Sequence, residues 1–156
     1  MEYDINSEFA ANIRQMTPFD LPPVMCIENT AYEFPWTKGI MSDCLNSAYH
    51  CYVSEKEGMI QAYMIFSTVL DEVHLLNICV DPQQQNKGFG SAFMNWLLAY
   101  ARTKAAKTIY LEVRASNQVA IQLYEKLGFN EMGIRPNYYP TKKGKEDALL
   151  FAYEIL

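Results

Sequence analysis

The sequence lacks the long hydrophobic run that a membrane span requires. None of its 156 residues lies in a stretch of about 18 consecutive apolar positions. The first four residues, Met1 to Asp4, include two acids and no base, whereas a secretory signal peptide starts with basic residues and continues with apolar ones. We therefore expect a soluble protein of the cytoplasm that makes no contact with membranes.

Metal-binding residues are also scarce. The chain has two histidines and four cysteines, and the cysteines form no C-x-x-C pair. No zinc site of standard spacing can be written from these residues, and the sequence predicts no metal. In a protein without a signal peptide we expect four free, buried thiols in a reducing compartment, rather than two disulfides.

Basic residues are too few for a protein that binds nucleic acid without regard to sequence. The chain has 13 Lys and Arg against 18 Asp and Glu, which gives a net charge of −5. Such binding depends on a basic face that neutralises phosphates. The acidic balance argues against a direct nucleic-acid partner and favours an amine or a basic peptide.

The composition is that of one ordinary globular domain. Hydrophobic residues make up 50% of the chain and charged residues 20%, values that exclude a disordered or collagen-like protein. Single domains are commonly about 100 to 150 residues long. No repeat or linker divides the chain, so residues 1–156 are expected to fold as a single domain.

The hydrophobic periodicity predicts an α/β fold with the element order β-αα-βββ-α-β-α-ββ. The predicted strands cover residues 9–16, 49–54, 59–69, 72–80, 108–113, 129–138 and 148–156. The predicted helices cover residues 18–32, 37–47, 88–104 and 117–127, with Thr37 as an N-cap and Gly128 as a C-terminal stop. We expect each strand-helix-strand unit to cross over right-handedly and pair in parallel, which gives a mixed central sheet.

The segment from Val80 to Ser91 carries the strongest local signal. It contains a strand end, a glycine-bearing loop and a helix start in succession, and a helix N-terminus of this kind attracts phosphate or pyrophosphate. The loop does not contain the Walker A pattern G-x-x-x-x-G-K-[ST]. It does not fit a dinucleotide fingerprint either, since Phe93 stands where the third glycine is needed. The alternative interpretation is that Gly88 and Gly90 only ease a tight turn.

Two sets of motifs resemble a known enzyme family. The pattern Gln85-x-x-Gly88-x-Gly90 after a strand resembles the coenzyme A loop of the GCN5-related N-acetyltransferases, whose element order also agrees. The strings LEVRASN at 111–117, LYEKLGF at 123–129 and NYYP at 137–140 resemble the RimI branch of that family, the ribosomal-protein-alanine N-acetyltransferases. The resemblance is dense from residue 70 to 151, whereas residues 1–50 contribute only Phe34-Pro35-Trp36.

The resemblance implies acetyl-CoA as the acetyl donor and the acyl-CoA N-acyltransferase fold. In this family the strand before the loop separates from its neighbour, and its main chain binds the pantetheine arm as an added strand would. The implied donor-binding residues lie on that strand, on the loop with the start of its helix, and at one later helix start: Ile78, Cys79, Val80, Gln85, Asn86, Lys87, Gly88, Phe89, Gly90, Ser91 and Asn117.

The resemblance also implies Glu112 as general base and Tyr124 as general acid. A protein α-ammonium has a pKa of about 8, so a carboxylate acting directly or through water suffices to neutralise it. A tyrosine hydroxyl could then protonate the departing thiolate. Each residue has a purely structural alternative: Glu112 could pair with Arg114 or face solvent, Tyr124 could belong to the core, and Asn117 could be only an N-cap.

Two further residues near the chemistry are interpreted as structural. Direct transfer from the donor to the amine needs no acylated cysteine, and Cys79 is expected to be a small buried residue. His74, on the same predicted strand, is expected to be a paired or exposed histidine rather than a base.

Five aromatic or proline residues are implied to hold the acceptor, an N-terminal alanine of a small-subunit ribosomal protein: Phe34, Pro35, Trp36, Tyr138 and Tyr139. Alternatively, Phe34 and Trp36 only pack the two early helices together. A small amine or an internal lysine is a rival acceptor, and a non-catalytic module that binds acyl-CoA is a rival function. Pro136, which precedes Asn137 and Tyr138, is a departure from the family pattern at the implied acceptor loop.

Overall fold

The computed structural model of the protein describes residues 5–156. Its helices are α1 (Ile5–Ala11), α2 (Leu21–Ala31), α3 (Lys38–Leu45), α4 (Phe89–Thr103) and α5 (Gln118–Leu127). Its strands are β1 (Ile13–Gln15), β2 (His50–Lys56), β3 (Met59–Val69), β4 (Glu72–Val80), β5 (Thr108–Arg114), β6 (Asn130–Thr141) and β7 (Gly144–Glu154). The acidic residues 1–4, on which the expectation of no signal peptide rests, lie outside the described part.

One mixed sheet of seven strands, in the order β1-β2-β3-β4-β5-β7-β6, organises the molecule. Strands β4 and β5 pair in parallel through the crossover helix α4, and the other neighbours pair antiparallel. The predicted α/β class, the mixed sheet and the antiparallel meander β2-β3-β4 are confirmed. None of the helices within residues 5–156 has both the length and the apolar character of a membrane span.

The prediction of a first strand over residues 9–16 is wrong in its first half. Phe9 belongs to helix α1, is 2% exposed, and packs against Phe89 (ring centroids 5.1 Å apart) and Phe93 (5.3 Å) of α4. Strand β1 keeps only three residues. A short apolar segment does not fix its own conformation, and here the contact with α4 favours a helix.

The expectation of parallel pairing fails for two of the three strand-helix-strand units. Strand β1 pairs antiparallel with β2, and two helices rather than a single crossover helix connect them. Strands β5 and β6 do not pair at all, because β7 lies between them and bonds to both. The hairpin β6-β7 therefore overrides the simple crossover rule.

Strands β4 and β5 separate halfway along their length. They pair only from Glu72 to Leu75 and from Thr108 to Leu111, although β4 continues to Val80 and β5 to Arg114. We call the space beyond Leu75 and Leu111 the β4–β5 gap. The separation agrees with the expectation that this strand splays from its neighbour.

A β-bulge at Leu76 accompanies the separation. Ile65 of β3 opposes Asn77, whereas Phe66 opposes Leu75, so Leu76 is the extra residue. Side chains of a strand alternate between faces, and one extra residue exchanges the two faces. Residues 73 and 75 therefore face α4, whereas Asn77 and Cys79 face α2.

Two hydrophobic cores cover the two faces of the sheet. Helices α1, α4 and α5 bury one face, and helices α2 and α3 bury the other. All four cysteines are free thiols, and Cys44, Cys51 and Cys79 are buried as expected. Cys26 is exposed on α2, which corrects the prediction that all four are buried.

Candidate active site

The main chain of β4 presents hydrogen-bonding groups to the β4–β5 gap. A hydrogen bond from Asp81 N–H to β3 (2.9 Å) sets the alternation of bonded and non-bonded pairs. By that alternation Cys79 exchanges its main-chain bonds with Tyr63 of β3, whereas the N–H and C=O groups of Ile78 and Val80 turn toward the gap. An extended ligand can bind these outward groups as an added strand would.

Two carbonyl groups of this strand edge already accept hydrogen bonds. The Tyr32 hydroxyl donates to Ile78 O (2.8 Å), and the Gln85 amide donates to Val80 O (3.4 Å). A carbonyl oxygen has two lone pairs, so Ile78 O can accept once more, whereas Val80 O also accepts from the Cys79 thiol (3.8 Å). The side chain of Gln85 thus connects the loop after β4 to the edge of the gap.

The glycine-bearing loop has the backbone shape of an anion site. Asn86 (φ 64°) and Gly88 (φ 82°) both adopt left-handed conformations immediately before α4 begins at Phe89. This places the free N–H groups of the first turn of α4, which includes Gly90 and Ser91, at one end of the gap.

Two side chains of the loop have local roles. The Phe89 ring packs into the core against Phe9, and the Lys87 ammonium donates to the Gln84 side chain (2.9 Å). Main-chain groups of this segment are therefore better placed than these side chains to bind a pyrophosphate.

Glu112 lies on β5, on the face opposite to the core that α4 and α5 form. Its neighbours Leu111 and Val113 are buried in that core, and the Glu112 side chain is 28% exposed. Its carboxylate accepts a hydrogen bond from the Arg135 guanidinium (2.8 Å), not from Arg114 as the alternative supposed. The base implied by the resemblance is thus accessible, with a cation from β6 beside it.

Tyr124 lies on α5 and is 6% exposed. Burial is the main cause that raises the pKa of its hydroxyl, and the nearby Tyr139 adds to the shift. The group is therefore protonated at neutral pH. Tyr124 therefore lies in the core, as the structural alternative predicted. Its hydroxyl also carries the proton that a general acid needs.

Asn117 caps helix α5. Its side-chain oxygen accepts a hydrogen bond from Ala120 N–H (3.2 Å), and Gly128 ends the same helix with a φ of 102°. Both local predictions are confirmed. The structure gives Asn117 a capping role, and its implied contact with the donor stays a prediction.

Two segments far apart in the chain meet at Arg114. Its guanidinium lies over the ring of Phe34 (5.3 Å to the centroid) and over that of Tyr139 (4.6 Å). It also donates to Pro140 O (2.7 Å) and to the Glu146 carboxylate (3.2 Å). Since Arg114 follows Glu112 by two residues on the same face of β5, this aromatic sandwich lies beside the implied base.

Tyr138, Trp36 and Pro136, in the segments implied to hold the acceptor, have separate surroundings. Tyr138 is 49% exposed, contacts the Tyr139 ring (4.9 Å between centroids) and lies under Arg135. Trp36 packs against the core formed by α2 and α3. Pro136 lies in a stretch where the pairing of β6 with β7 is interrupted, between Arg135 and Tyr139. The structure thus brings Phe34 and Tyr139 together at Arg114 and places Tyr138 beside Tyr139, whereas Trp36 packs into the core under α2 and α3.

The sequence analysis missed a buried polar cluster that is bonded to the main chain of Trp36. Glu28 of α2 is 2% exposed, and its carboxylate accepts hydrogen bonds from Tyr63, Asn77 and the main chain of Trp36. A sequence signal exists, since Glu28 falls seven residues after the buried Leu21, on the apolar stripe of its helix. A charged residue on such a stripe is rarely buried without a purpose.

Cys79 is a protonated thiol in this environment. Burial raises the pKa of Cys79 to about 11, although hydrogen bonds with Tyr63 and Tyr32 oppose the rise. The thiolate therefore forms only as the pH climbs toward that value, far above neutrality. His74, the other residue interpreted as structural, pairs with Glu72 (2.9 Å).

Because the Cys79 thiol is not ionised, Cys79→Ala is expected to keep the rate of acetyl transfer within about threefold of the original at pH 7.5. Steady-state kinetics check this expectation. Recovery of a peptide acetylated at Cys79, together with a loss of turnover in the variant, would instead establish a covalent route.

The gap, the loop and the accessible carboxylate define a site for group transfer from an extended, phosphate-bearing donor. Within residues 5–156, no three His, Cys, Asp or Glu side chains are placed together to hold a metal ion.

Comparisons with known proteins agree with this class of site. The family model described as the acetyltransferase (GNAT) family matches residues 19–129. The chain is 42% identical over 143 residues to the ribosomal protein bS18-alanine N-acetyltransferase of Escherichia coli (strain K12), covering 92% of this chain and 97% of that protein. It is 37% identical over 141 residues to the protein of the same description from Haemophilus influenzae, covering 90% and 96%.

A solved structure gives the same result. The crystal structure of the ribosomal-protein-S18-alanine N-acetyltransferase from Escherichia coli superposes with a TM-score of 0.86 and 42% identity, covering 92% of both chains. This chain belongs to the acetyltransferase (GNAT) family. The resemblance that the motifs suggested, including its RimI branch, is confirmed, as is the predicted fold.

Proposed function

We propose that this protein transfers the acetyl group of acetyl-CoA to the α-amine of the N-terminal alanine of a ribosomal protein, bS18. The observation that carries the proposal is the 42% identity with a relative of that description over 143 residues. A match of that length to a 156-residue chain must include most of the first fifty residues, where the implied acceptor wall begins. We take the whole chain as one catalytic domain that works in the cytoplasm.

The residues around the gap fit acetyl-CoA as the donor substrate. The outward main-chain groups of Ile78 and Val80 match the amide groups of a pantetheine arm, and the first turn of α4 after Gly88 matches a pyrophosphate. Acetyl-CoA supplies an activated thioester, and the chain itself supplies the groups that bind, orient and exchange protons.

Glu112 is assigned as the group that accepts a proton from the acceptor's α-ammonium, directly or through a water molecule. The neutral amine then attacks the carbonyl carbon of the thioester, and the C–N bond forms as the C–S bond breaks. The nitrogen releases a second proton, which balances the proton given to the departing thiolate. In the structure the Arg135 guanidinium donates a hydrogen bond to the Glu112 carboxylate. An entering α-ammonium therefore replaces one cation with another at the carboxylate, which favours a charged amine over a neutral group.

Tyr124 is assigned as the donor of a proton to the departing thiolate. Its raised pKa keeps the hydroxyl protonated through the neutral range, so the proton is present when the thiolate leaves. Burial in the core also limits the directions in which the ring can turn.

Tyr124→Phe is expected to slow turnover by about 10²-fold while retaining acetyl-CoA affinity, because phenylalanine keeps the ring and removes the proton. Single-turnover kinetics and calorimetric titration with acetyl-CoA separate the two quantities. Tyr153→Phe, which removes a hydroxyl from another tyrosine packed against the same core, is the matched control. An unchanged rate in Tyr124→Phe would assign the residue to packing alone.

The acceptor is tested with three peptides and a thiol assay for released CoA. One peptide begins with free alanine, one has a blocked terminus and an internal lysine, and one begins with a bulky residue. We expect turnover with the first peptide at least about tenfold above that with either of the others, because a site that binds one side chain discriminates by this order.

The other results of this assay would identify the rivals. Turnover with the blocked peptide alone would replace the α-amine by a lysine side chain. Acetyl-CoA binding without turnover on any peptide would favour a small amine as acceptor, or a module without catalytic activity.

A further inference from the structure

The Glu28 carboxylate is buried and bonded by three neutral donors. Its Oε1 accepts from the Tyr63 hydroxyl (2.7 Å) and from the Asn77 amide (2.8 Å), and its Oε2 accepts from Trp36 N–H (2.9 Å). Removing a carboxylate from water is costly unless hydrogen bonds replace its hydration. The three donors come from β3, β4 and the segment after α2, so a single carboxylate connects three parts of the fold.

Two of these parts belong to the two halves of the site. Asn77 follows the β4 bulge and directly precedes Ile78, whose main chain faces the donor gap. Trp36 belongs to the segment implied to hold the acceptor. A second link reinforces the first, since Tyr32, four residues after Glu28, donates to Ile78 O.

We propose that Glu28 is a positioning residue that couples donor binding along β4 to acceptor binding at the Phe34–Trp36 segment. A donor arm bonded to Ile78 fixes this half of β4, which fixes the end of α2 through Asn77 and Tyr32. Glu28 then holds Trp36 N–H in place. The acceptor therefore binds more tightly to the donor-loaded protein than to the free one, and by linkage the donor gains the same factor. The acceptor's identity in this statement rests on the proposed function.

Two variants cut the two sides separately. Glu28→Gln keeps an oxygen for Tyr63 and Asn77 but places an NH₂ group against Trp36 N–H, so it breaks the acceptor link alone. The double variant Asn77→Ala with Tyr32→Phe removes both donor links and leaves the Trp36 bond. Tyr63→Phe is the matched control, because it removes a buried hydrogen bond from the same carboxylate but touches neither link.

Coupling is measured as the ratio of the acceptor peptide's Kd without and with saturating CoA, by calorimetry on the full chain. We expect a ratio of about 10 in the original protein. The ratio should fall to about 1 in both Glu28→Gln and the Asn77→Ala, Tyr32→Phe double variant and persist in Tyr63→Phe. A merely structural role predicts that Tyr63→Phe loses the ratio as well, and that result, or a full ratio in Glu28→Gln, would overturn the proposal.

A fluorescence measurement keeps this test separate from the proposed function. The chain has two tryptophans, so Trp96→Phe leaves Trp36 as the only reporter. We expect CoA alone to change the acrylamide quenching of Trp36 about twofold or more, and Glu28→Gln to abolish the change. If no alanine peptide binds, the proposed acceptor is wrong, and this response alone decides the role of Glu28. Equal responses with and without the Glu28 carboxylate would refute the coupling.

Discussion

Replacing Glu112 by glutamine is expected to lower turnover about 100-fold or more at neutral pH and to leave acetyl-CoA affinity within about twofold. The substitution keeps the size of the side chain and removes its ability to take a proton. The Glu112 side chain leaves the sheet on the face opposite to α4 and α5, whereas the groups of β4 implied to bind the donor are main-chain groups in the plane of the sheet. The substitution should therefore lower kcat and weaken acceptor binding without weakening donor binding.

The pH dependence distinguishes a base from a structural anchor. A free α-amine has a pKa of about 8, so above about pH 9 most of the acceptor is neutral without help. The ratio of the original protein's turnover to that of Glu112→Gln should therefore decrease above about pH 9. A 100-fold loss that stays constant from pH 7 to pH 9.5 would contradict the assignment.

Arg135→Gln controls for the ion pair. If Glu112 acts only by holding Arg135 and strand β6 in place, both substitutions should cost the same activity, since either one breaks the 2.8 Å contact. A base predicts a much smaller loss for Arg135→Gln, less than about tenfold. The comparison needs only steady-state rates and the melting temperatures of the two variants.

Replacing Gly88 by valine is expected to weaken acetyl-CoA binding more than about 30-fold, because a β-branched residue cannot adopt a φ of 82° without about 1–3 kcal/mol of strain. Relief of that strain rotates the peptide groups before α4 away from the pyrophosphate position. Calorimetric titration with acetyl-CoA measures the loss directly.

Gly58 provides a control with the same strain in another place. It has a φ of 79° in the turn between β2 and β3, and a Cβ atom there would meet no heavy atom within 4 Å. Gly58→Val should lower the melting temperature comparably and leave acetyl-CoA affinity unchanged. If Gly88→Val binds acetyl-CoA normally but loses activity, the loop does not bind the donor.

Elements with strong local signals could be predicted from the sequence. Thr37 and Asn117 cap helices as expected, Gly128 ends α5, and the three strands of the meander have the predicted order. Caps and alternating patterns act over three or four residues, so they do not depend on the rest of the fold.

Features that depend on distant contacts could not be predicted. The helical state of Phe9 depends on α4, and the insertion of β7 between β5 and β6 depends on a hairpin that forms later in the chain. The partner of Glu112 was also missed, since Arg135 lies on β6 and reaches β5 across the intervening strand β7. The sequence marks the buried Glu28 only as a charged residue on an apolar stripe and does not indicate its hydrogen-bond partners.

The sandwich of Arg114 between Phe34 and Tyr139 bears on how acceptor preference could be changed by design. The two rings come from opposite ends of the chain, yet they share one guanidinium, which also fixes Pro140 O and Glu146. If only the Phe34 segment or only the Tyr139 segment were replaced by that of a relative, the Arg114 guanidinium would face one original and one foreign segment. On the role proposed for these two segments, acceptor preference depends on both of them together, and swaps that exchange them as a pair are the ones that preserve their shared contacts with Arg114.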